Sequence, residues 1–337
     1  MVAANAGNGP LWARLDALYD KRLAESIPQY IQPELFHYTT VEGLKGIVES
    51  NSLWATSAYH LNDSSEIEYG CHLVTEAIDE WLKTNDTRGL GRAARVPLLV
   101  LQFLRDSFHE PSFRVGRHVG IYLSCFCESG NLLSQWRAYG QPGGYSIGML
   151  ASELEVGVSA PGFYGTRLLK VEYSRDNQRA KIHSLLSDFV VIAEDDTLYT
   201  FPAEPEAMKR ILSDLGLFLQ ELVMDEIVSF KNPAFAEERE WRIVARPRLV
   251  EMQRLRQQQA NVAEQQPASP IQYRHAKGSL VPYLSLSSTK GKKLPIHSVR
   301  IGPSLEKFPT EYALLGFLIA QGHKQVQVLG SDLPVKL

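Results

Sequence analysis

The chain carries only three cysteines, Cys71, Cys125 and Cys127, in 337 residues. An odd set without paired spacing and without a neighbouring histidine run builds neither a disulfide framework nor a zinc site, and it fits reduced thiols in a cytosolic compartment. A long apolar run is also missing. The strongest, Val96 to Leu104, is interrupted by Pro97 and Gln102 and is far too short to span a bilayer. Met1 to Pro10 has no charged n-region and no apolar h-region, so no secretory signal is legible and the cytoplasm is the expected location. Neither sign of charge is in excess: 35 Lys and Arg against 38 Asp and Glu leave a net charge of −3, with no global field to draw in nucleic acid or an anionic membrane. No predicted strand runs into a Gly-rich phosphate loop, which disfavours a doubly wound dinucleotide fold. No internal repeat is evident.

What is present is a globular composition, 44% hydrophobic and 22% charged, long enough to bury a core. Helical spacing predicts helices over Leu11 to Glu25, Val41 to Ser50, a long one beginning at Asn62 and Asp63, Leu98 to Phe108, Leu132 to Tyr139, Asn177 to Ala193, Glu204 to Phe230 and Thr310 to Gln321. Strand-like runs fall at Leu35 to Thr39, Leu53 to Thr56, Val119 to Cys127, Tyr145 to Leu150, Arg167 to Tyr173, Glu240 to Ala245, Leu280 to Leu286, Ser298 to Ile301 and Gln325 to Leu329. The two kinds are interspersed without regular alternation. The expected fold is therefore α+β, with a mixed or antiparallel sheet and helices packed on it and inserted between strands. Residues 1–32 read as an N-terminal helical extension to a single domain over 33–337. Within that domain a helical insertion is expected at about 177–230 and a polar, Gln-rich linker at about 251–270.

Four clusters carry more polar and aromatic character than a core requires. His37-Tyr38-Thr39 ends a strand. Leu61-Asn62-Asp63 with Glu66 opens a helix, as a cap and a first-turn acid also would. Ser124-Cys125-Phe126-Cys127-Glu128 continues into Ser134-Gln135-Trp136-Arg137 and Tyr139-Gly140, and Glu237-Glu238-Arg239-Glu240-Trp241-Arg242 meets the start of a strand. Each has a plain alternative: a satisfied histidine, a solvated charge run, core aromatics. Cys125 and Cys127 alternate onto one face and read as small buried hydrophobes. The guanidinium forks of Arg137 and Arg242 suit a carboxylate or a phosphate.

Together with Leu53-Trp54-Ala55-Thr56, Gly144-Tyr145-Ser146-Ile147-Gly148 and Ile301-Gly302-Pro303, these motifs make the chain resemble, over roughly residues 33 to 330, the bacterial family catalogued as domain of unknown function 2971. That family carries no established reaction. A more distant resemblance is to ADP-ribosyltransferases, whose catalytic domain opens with a strand ending in His-x-Thr, followed by a helix and a short strand. A Ser-containing or aromatic motif then lies on a middle strand, and a catalytic Glu starts a later one. His37-Tyr38-Thr39, Ser124 and Glu238-x-Glu240 occur here in that order, with Tyr38 where many transferases have Gly.

This resemblance implies cleavage of NAD, with or without transfer of ADP-ribose to an acceptor, in a toxin or antiphage role. Loss of nicotinamide develops oxocarbenium character, which a carboxylate beside the sugar stabilises. Glu240 would take that role, Glu238 would position or activate the acceptor, and His37 would bond the adenosine-side ribose. Tyr38, Thr39 and Ser124 would complete the nucleotide site, with Tyr59 or Tyr139 stacked on the nicotinamide. No metal is expected. The alternatives are a nucleotide or nucleic-acid binding module using the same cleft with Arg137 and Arg242, and an interaction protein with Glu251 to Gln266 as its partner-binding segment.

Overall fold

The structure, a computed structural model, describes residues 9–30, 32–61, 66–84, 95–109, 120–140, 143–160, 164–198, 205–247, 270–276, 278–288 and 292–334. Asn62, Asp63 and nearly all of the linker expected at 251–270 lie outside the described residues. The chain forms two units: a helical one (Met1–Ile27, Ser64–His118, Glu172–Pro233) and a sheet-bearing one (Pro28–Asp63, Val119–Val171, Ala234–Leu337).

The helical unit contains α1 (Pro10–Glu25), α3 (Glu66–Thr84), α4 (Arg95–His109), α7 (Arg175–Ala193) and α8 (Pro205–Ile227). Proline opens α1, where its missing N–H costs nothing, and Leu11, Leu15 and Leu18 form the buried stripe. Ser174 caps α7 by accepting from the Asn177 N–H. The unit's interior includes a buried amide: Gln178 donates to the carbonyls of Glu172 at 2.6 Å and Lys231 at 2.9 Å and accepts from the Tyr69 hydroxyl at 2.7 Å. That network leaves no cost of an unmet polar group at its centre. The stretch expected as an insertion at about 177–230 supplies most of α7 and all of α8.

The sheet unit holds β1 (Glu34–Thr40), α2 (Val41–Ser50), β2 (Ser52–Ser57), β3 (Tyr122–Cys127), α5 (Leu133–Tyr139), β4 (Gly144–Leu150), α6 (Ala151–Gly157), β5 (Val158–Ser159) and β6 (Tyr164–Lys170). It continues with β7 (Glu240–Pro247), β8 (Gln272–Ala276), β9 (Ser279–Ser288), β10 (Ile296–Ile301), α9 (Lys307–Ala320) and β11 (Gln327–Gly330). The main strand order is β11-β10-β4-β1-β3-β2-β9-β5, with β7 on β3, β6 on β7 and β8 on β9. The β10–β11 pair is parallel and the others are antiparallel, so the sheet is mixed.

Side chains alternate along each strand, and the apolar set falls on one face. Leu35, Leu53, Ala55, Phe126, Ile147, Met149, Trp241, Ile243, Leu284 and Val299 join one core with Leu44, Ile47 and Val48 of α2 and Leu314 and Leu318 of α9. On the opposite face a smaller cluster forms from Tyr38, Cys127 and Trp136 of α5.

Three short elements escape the sequence pattern. β5 and α6 are too brief to show a period, and β8 reads Gln-Tyr-Arg-His-Ala, with little apolar content beside the polar linker. β8 forms because β9 pairs with it along all five residues across a turn in which Gly278 holds φ +78°.

α2 makes a direct stability prediction. A Cβ on Gly43 would fall 1.8 Å from the Thr39 hydroxyl oxygen, whereas one on Gly46 would meet nothing within 4 Å. Gly46→Ala is expected to raise unfolding free energy by about 0.5–1 kcal/mol through helix propensity. Gly43→Ala should lower it by about 1–3 kcal/mol through overpacking against a stiff β-branched neighbour. Urea melts of the two variants check the opposite signs.

Candidate functional site

β3 has a full partner on one edge and two partial partners on the other. Along the first edge β7 pairs from Tyr122↔Ala245 to Cys127↔Glu240. On the second, β2 takes the start of β3 through Thr56↔Leu123 and Ser57↔Tyr122, and β1 takes its end through Phe36↔Cys127. Between these two contacts the strands part. The Cys125 carbonyl sits at the split, and the His37 Nδ1–H donates to it at 2.9 Å.

That bond fixes the histidine's chemistry. A carbonyl only accepts, so Nδ1 carries the proton and the neutral ring keeps Nε2 as an acceptor. Burial holds the His37 pKa below its ordinary value of 6.5; the bond to Cys125 works against this and the Arg274 charge adds to it. His37 therefore stands neutral at pH 7, its ring 5.7 Å from that of Phe126. Nε2 has no hydrogen-bond partner among the described residues. Ser124 shares the Phe126 side of β3, and its hydroxyl is buried with no hydrogen-bond partner among the described residues.

Arg274 of β8, whose charge acts on His37, is a second group that the sequence did not single out; it lies on the Trp54 and Thr56 face of β2. Its Nη2 donates to the Thr56 hydroxyl at 3.1 Å, and its guanidinium lies 5.5 Å from the Trp54 ring, which in turn packs on Tyr283 at 4.6 Å. It has no carboxylate partner among the described residues, its Nε is buried without a partner, and burial pulls its pKa down while Tyr283 works the other way. A half-buried guanidinium without a counter-ion is a natural anion site. Leu53-Trp54-Ala55-Thr56 was a visible motif in the sequence, but nothing there pointed to its partner two hundred residues on.

Glu240 and Arg242 lie elsewhere. Phe36, Cys127 and Glu240 form one row across β1, β3 and β7, so their side chains share a face. His37 follows Phe36 by one residue and points to the opposite face. Glu240 is buried, and Arg242 grips both its carboxylate oxygens, Nε to Oε1 at 2.8 Å and Nη2 to Oε2 at 3.0 Å. The expected groove between His37 and Glu240 is therefore not formed: the register sets them on opposite sides of the sheet, and the acid is held by a guanidinium. Glu238 closes a 3-10 turn (Pro233–Glu238), half-buried, before Arg239 enters the left-handed region at φ 44°.

The remaining residues serve local architecture. Tyr38 faces away from His37; its hydroxyl donates to the Ser129 carbonyl at 2.9 Å and accepts from the Leu132 N–H at 2.7 Å, and its ring stands edge-on to Trp136 at 4.8 Å. Burial raises its pKa well above the usual tyrosine value. It braces the turn leading to α5, with its hydroxyl proton committed to the Ser129 carbonyl. Trp136 donates its indole N–H to Asn131 at 3.0 Å, with Gln135 buried beside it. Trp241 donates to Glu128 at 3.0 Å. Burial alone would push Glu128 up, but hydrogen bonds from Lys170 and Trp241 hold it below the usual carboxylate range. Thr39 fills the space over Gly43. Tyr59 lies in a single 3-10 turn after β2, while Arg137 and Tyr139 are exposed on α5. Glu66 belongs to the helical unit, where it is buried 3.1 Å from the Lys231 ammonium. Among the described residues no group of three or more His, Cys, Asp or Glu side chains is placed to hold a metal ion, and no helix is long and apolar enough to cross a membrane.

A family model described as "Protein of unknown function (DUF2971)" matches residues 135–243. Over that stretch the chain is similar to the DUF2971 family. The stretch, about a third of the chain, runs from α5 to Glu240, Trp241 and Arg242 in β7 and includes neither His37 nor Ser124. No curated protein and no solved structure matches the chain. The likeness to ADP-ribosyltransferases thus rests on the motif residues alone.

Two outcomes follow. Removing one member of the buried pair takes the bidentate partner from the other's buried charge, so Glu240→Ala should lower unfolding free energy by about 3–5 kcal/mol, against a smaller loss for a double apolar replacement of Glu240 and Arg242; chemical denaturation measures both. His37 is neutral in the fold at a pH where the unfolded chain takes up a proton. Stability present above pH 6.5 is accordingly lost as pH falls through 6.5 toward the lower folded value. His323 adds in the same sense, its pKa lowered by burial and by Lys293. Melting temperatures from pH 7.5 to 5 should fall, and His37→Asn, which keeps a donor for Cys125, should flatten the decline.

Proposed function

We propose that the split between β1 and β2 is a nucleotide-binding site, and that the chain is a binding module of ADP-ribosyltransferase-like layout whose ligand is NAD or another ADP-ribose-containing nucleotide. The observation that carries the reading is the neutral His37 ring, with Nε2 left as an acceptor and acted on by the charge of Arg274, which has no carboxylate partner among the described residues. An acceptor nitrogen suits a ribose hydroxyl, and a guanidinium suits a phosphate. The adjacency of β1, β3 and β7, the strands carrying His37, Ser124 and Glu240, supports the transferase-like layout.

Cleavage of NAD needs a carboxylate beside the bond between nicotinamide and ribose. Glu240 is committed to Arg242 on the face away from His37, so binding without Glu240-dependent chemistry is the reading this geometry favours. The NAD-cleaving enzyme, as a toxin or an antiphage effector, stands as the alternative outcome. The segment Glu251 to Gln266, the expected partner-binding stretch, lies outside the described residues.

Calorimetric titration with NAD and with ADP-ribose should show saturable binding. His37→Asn should weaken it about fivefold or more, since one neutral hydrogen bond is lost, and Arg274→Gln about tenfold or more, since a charged one is lost. Arg137→Gln should leave it unchanged. Absence of binding to folded protein, or binding indifferent to both substitutions, contradicts the reading. Nicotinamide release that disappears in folded Glu240→Gln restores the enzyme.

A further inference from the structure

α9 buries Leu314 and Leu318 in the sheet unit's core, yet its other side is apolar too. Phe308 is 85% exposed, Tyr312 82%, Leu315 38% and Ile319 54%. These positions recur at helical spacing and form one stripe, flanked by exposed Pro309, Ala313, Gly316 and Ala320. The sequence from Tyr312 to Ala320 contains no charged residue. A helix that is apolar all round is normally covered on every side, and a contiguous exposed patch of this kind marks an interaction surface.

We propose that this stripe is covered by the same stripe of a second copy of the chain, the two α9 helices packing antiparallel about a two-fold axis near Gly316. The stripe complements itself in shape under that operation. Its largest groups, Phe308 and Tyr312, lie in the N-terminal half, and small Gly316 and Ala320 lie toward the C-terminal half. An antiparallel pairing centred on Gly316 sets Tyr312 of one copy over Ala320 of the other. A Cβ at Gly316 would meet nothing within 4 Å inside the chain, so its bare backbone is left for an outside surface to approach.

The charges at the helix ends agree with a second copy. Glu306 and Glu311 lie at the N-terminal end, where Lys307 folds back over Gly330. Lys324 follows the C-terminal end, where Gly322 sits against Lys293. Antiparallel packing brings each acidic end within a turn of the partner's basic end, and a parallel pair would set like ends together. The four large side chains expose roughly 500 Å² per copy. That is more than half of the ~800 Å² per partner found in a stable interface, and the flanking turns supply further area. The dimer sits on the helix covering the sheet and needs no ligand at His37.

Sedimentation velocity across a concentration series reads the association, with disulfide trapping for its geometry. The full-length chain should move from monomer to dimer with rising concentration. Tyr312→Glu should shift the midpoint at least tenfold upward while leaving the melting profile of the monomer unchanged, because Tyr312 is exposed in the single chain. Under mild oxidation Gly316→Cys should give a covalent dimer. Phe308→Cys should not, since an antiparallel pair separates its two copies by roughly 24 Å along the axis. The unsubstituted chain controls for the native cysteines. A chain monomeric at every concentration, a dimer indifferent to Tyr312→Glu, or cross-linking through Phe308→Cys as readily as through Gly316→Cys would overturn the proposal.

Discussion

Where β3 exchanges one neighbour for another along a single edge, the ladder on that edge is interrupted. Buried main-chain groups are satisfied almost without exception. At Cys125 the satisfaction comes from a side chain, the imidazole of His37. The demand lets β1 and β2 diverge from the same strand and still share one core through Leu35, Leu53 and Ala55. It also dictates what His37 can offer outward. With Nδ1–H consumed by the carbonyl, a neutral acceptor nitrogen remains, and the burial that makes the carbonyl bond worth having also keeps the ring uncharged.

The same register logic separates His37 from Glu240. Three adjacent strands carry the three motifs in the order the transferase resemblance asks for, and adjacency alone looks like convergence on a site. Strand pairing carries a second rule, however: residues in one cross-strand row share a face, and neighbours along a strand do not. Phe36, Cys127 and Glu240 make the row, so His37 is one residue out of step with the acid. Arg242, two residues after Glu240, then lies on the acid's own side and closes on both its oxygens. A charge taken out of water in this way is steady only while its partner remains, which gives the pair an architectural role in β7.

Much of the fold is legible in the sequence because its long elements have clear periods. α1, α2, α7, α8 and α9 follow apolar spacing, and β3, β4 and β7 follow β-branched and aromatic runs. The mixed sheet follows from their irregular alternation. Elements that depend on a partner rather than on their own pattern were not legible. β8 is polar and exists because β9 offers it a ladder, so Arg274, the guanidinium whose charge acts on His37, stays hidden in what reads as the margin of a linker. The Glu240–Arg242 pair could be foreseen as chemistry but not as a fact, since a spacing of two permits either a shared face on a strand or divergence in a turn. Tyr38 next to His37 looked like a ligand contact, and only the pairing with β4, which sets Tyr38 opposite Ser146 and His37 opposite Ile147, sends it the other way toward Trp136.

A nucleotide site at the split depends on the protonation and exposure of one ring. Nitrogen-15 NMR of the His37 imidazole at pH 7, with and without ADP-ribose, reads both at once. The result predicted is a neutral ring protonated at Nδ1, whose unprotonated Nε2 resonance moves when the nucleotide is added while Nδ1 stays fixed. A charged ring, a proton on Nε2, or a spectrum that ADP-ribose leaves untouched would contradict it.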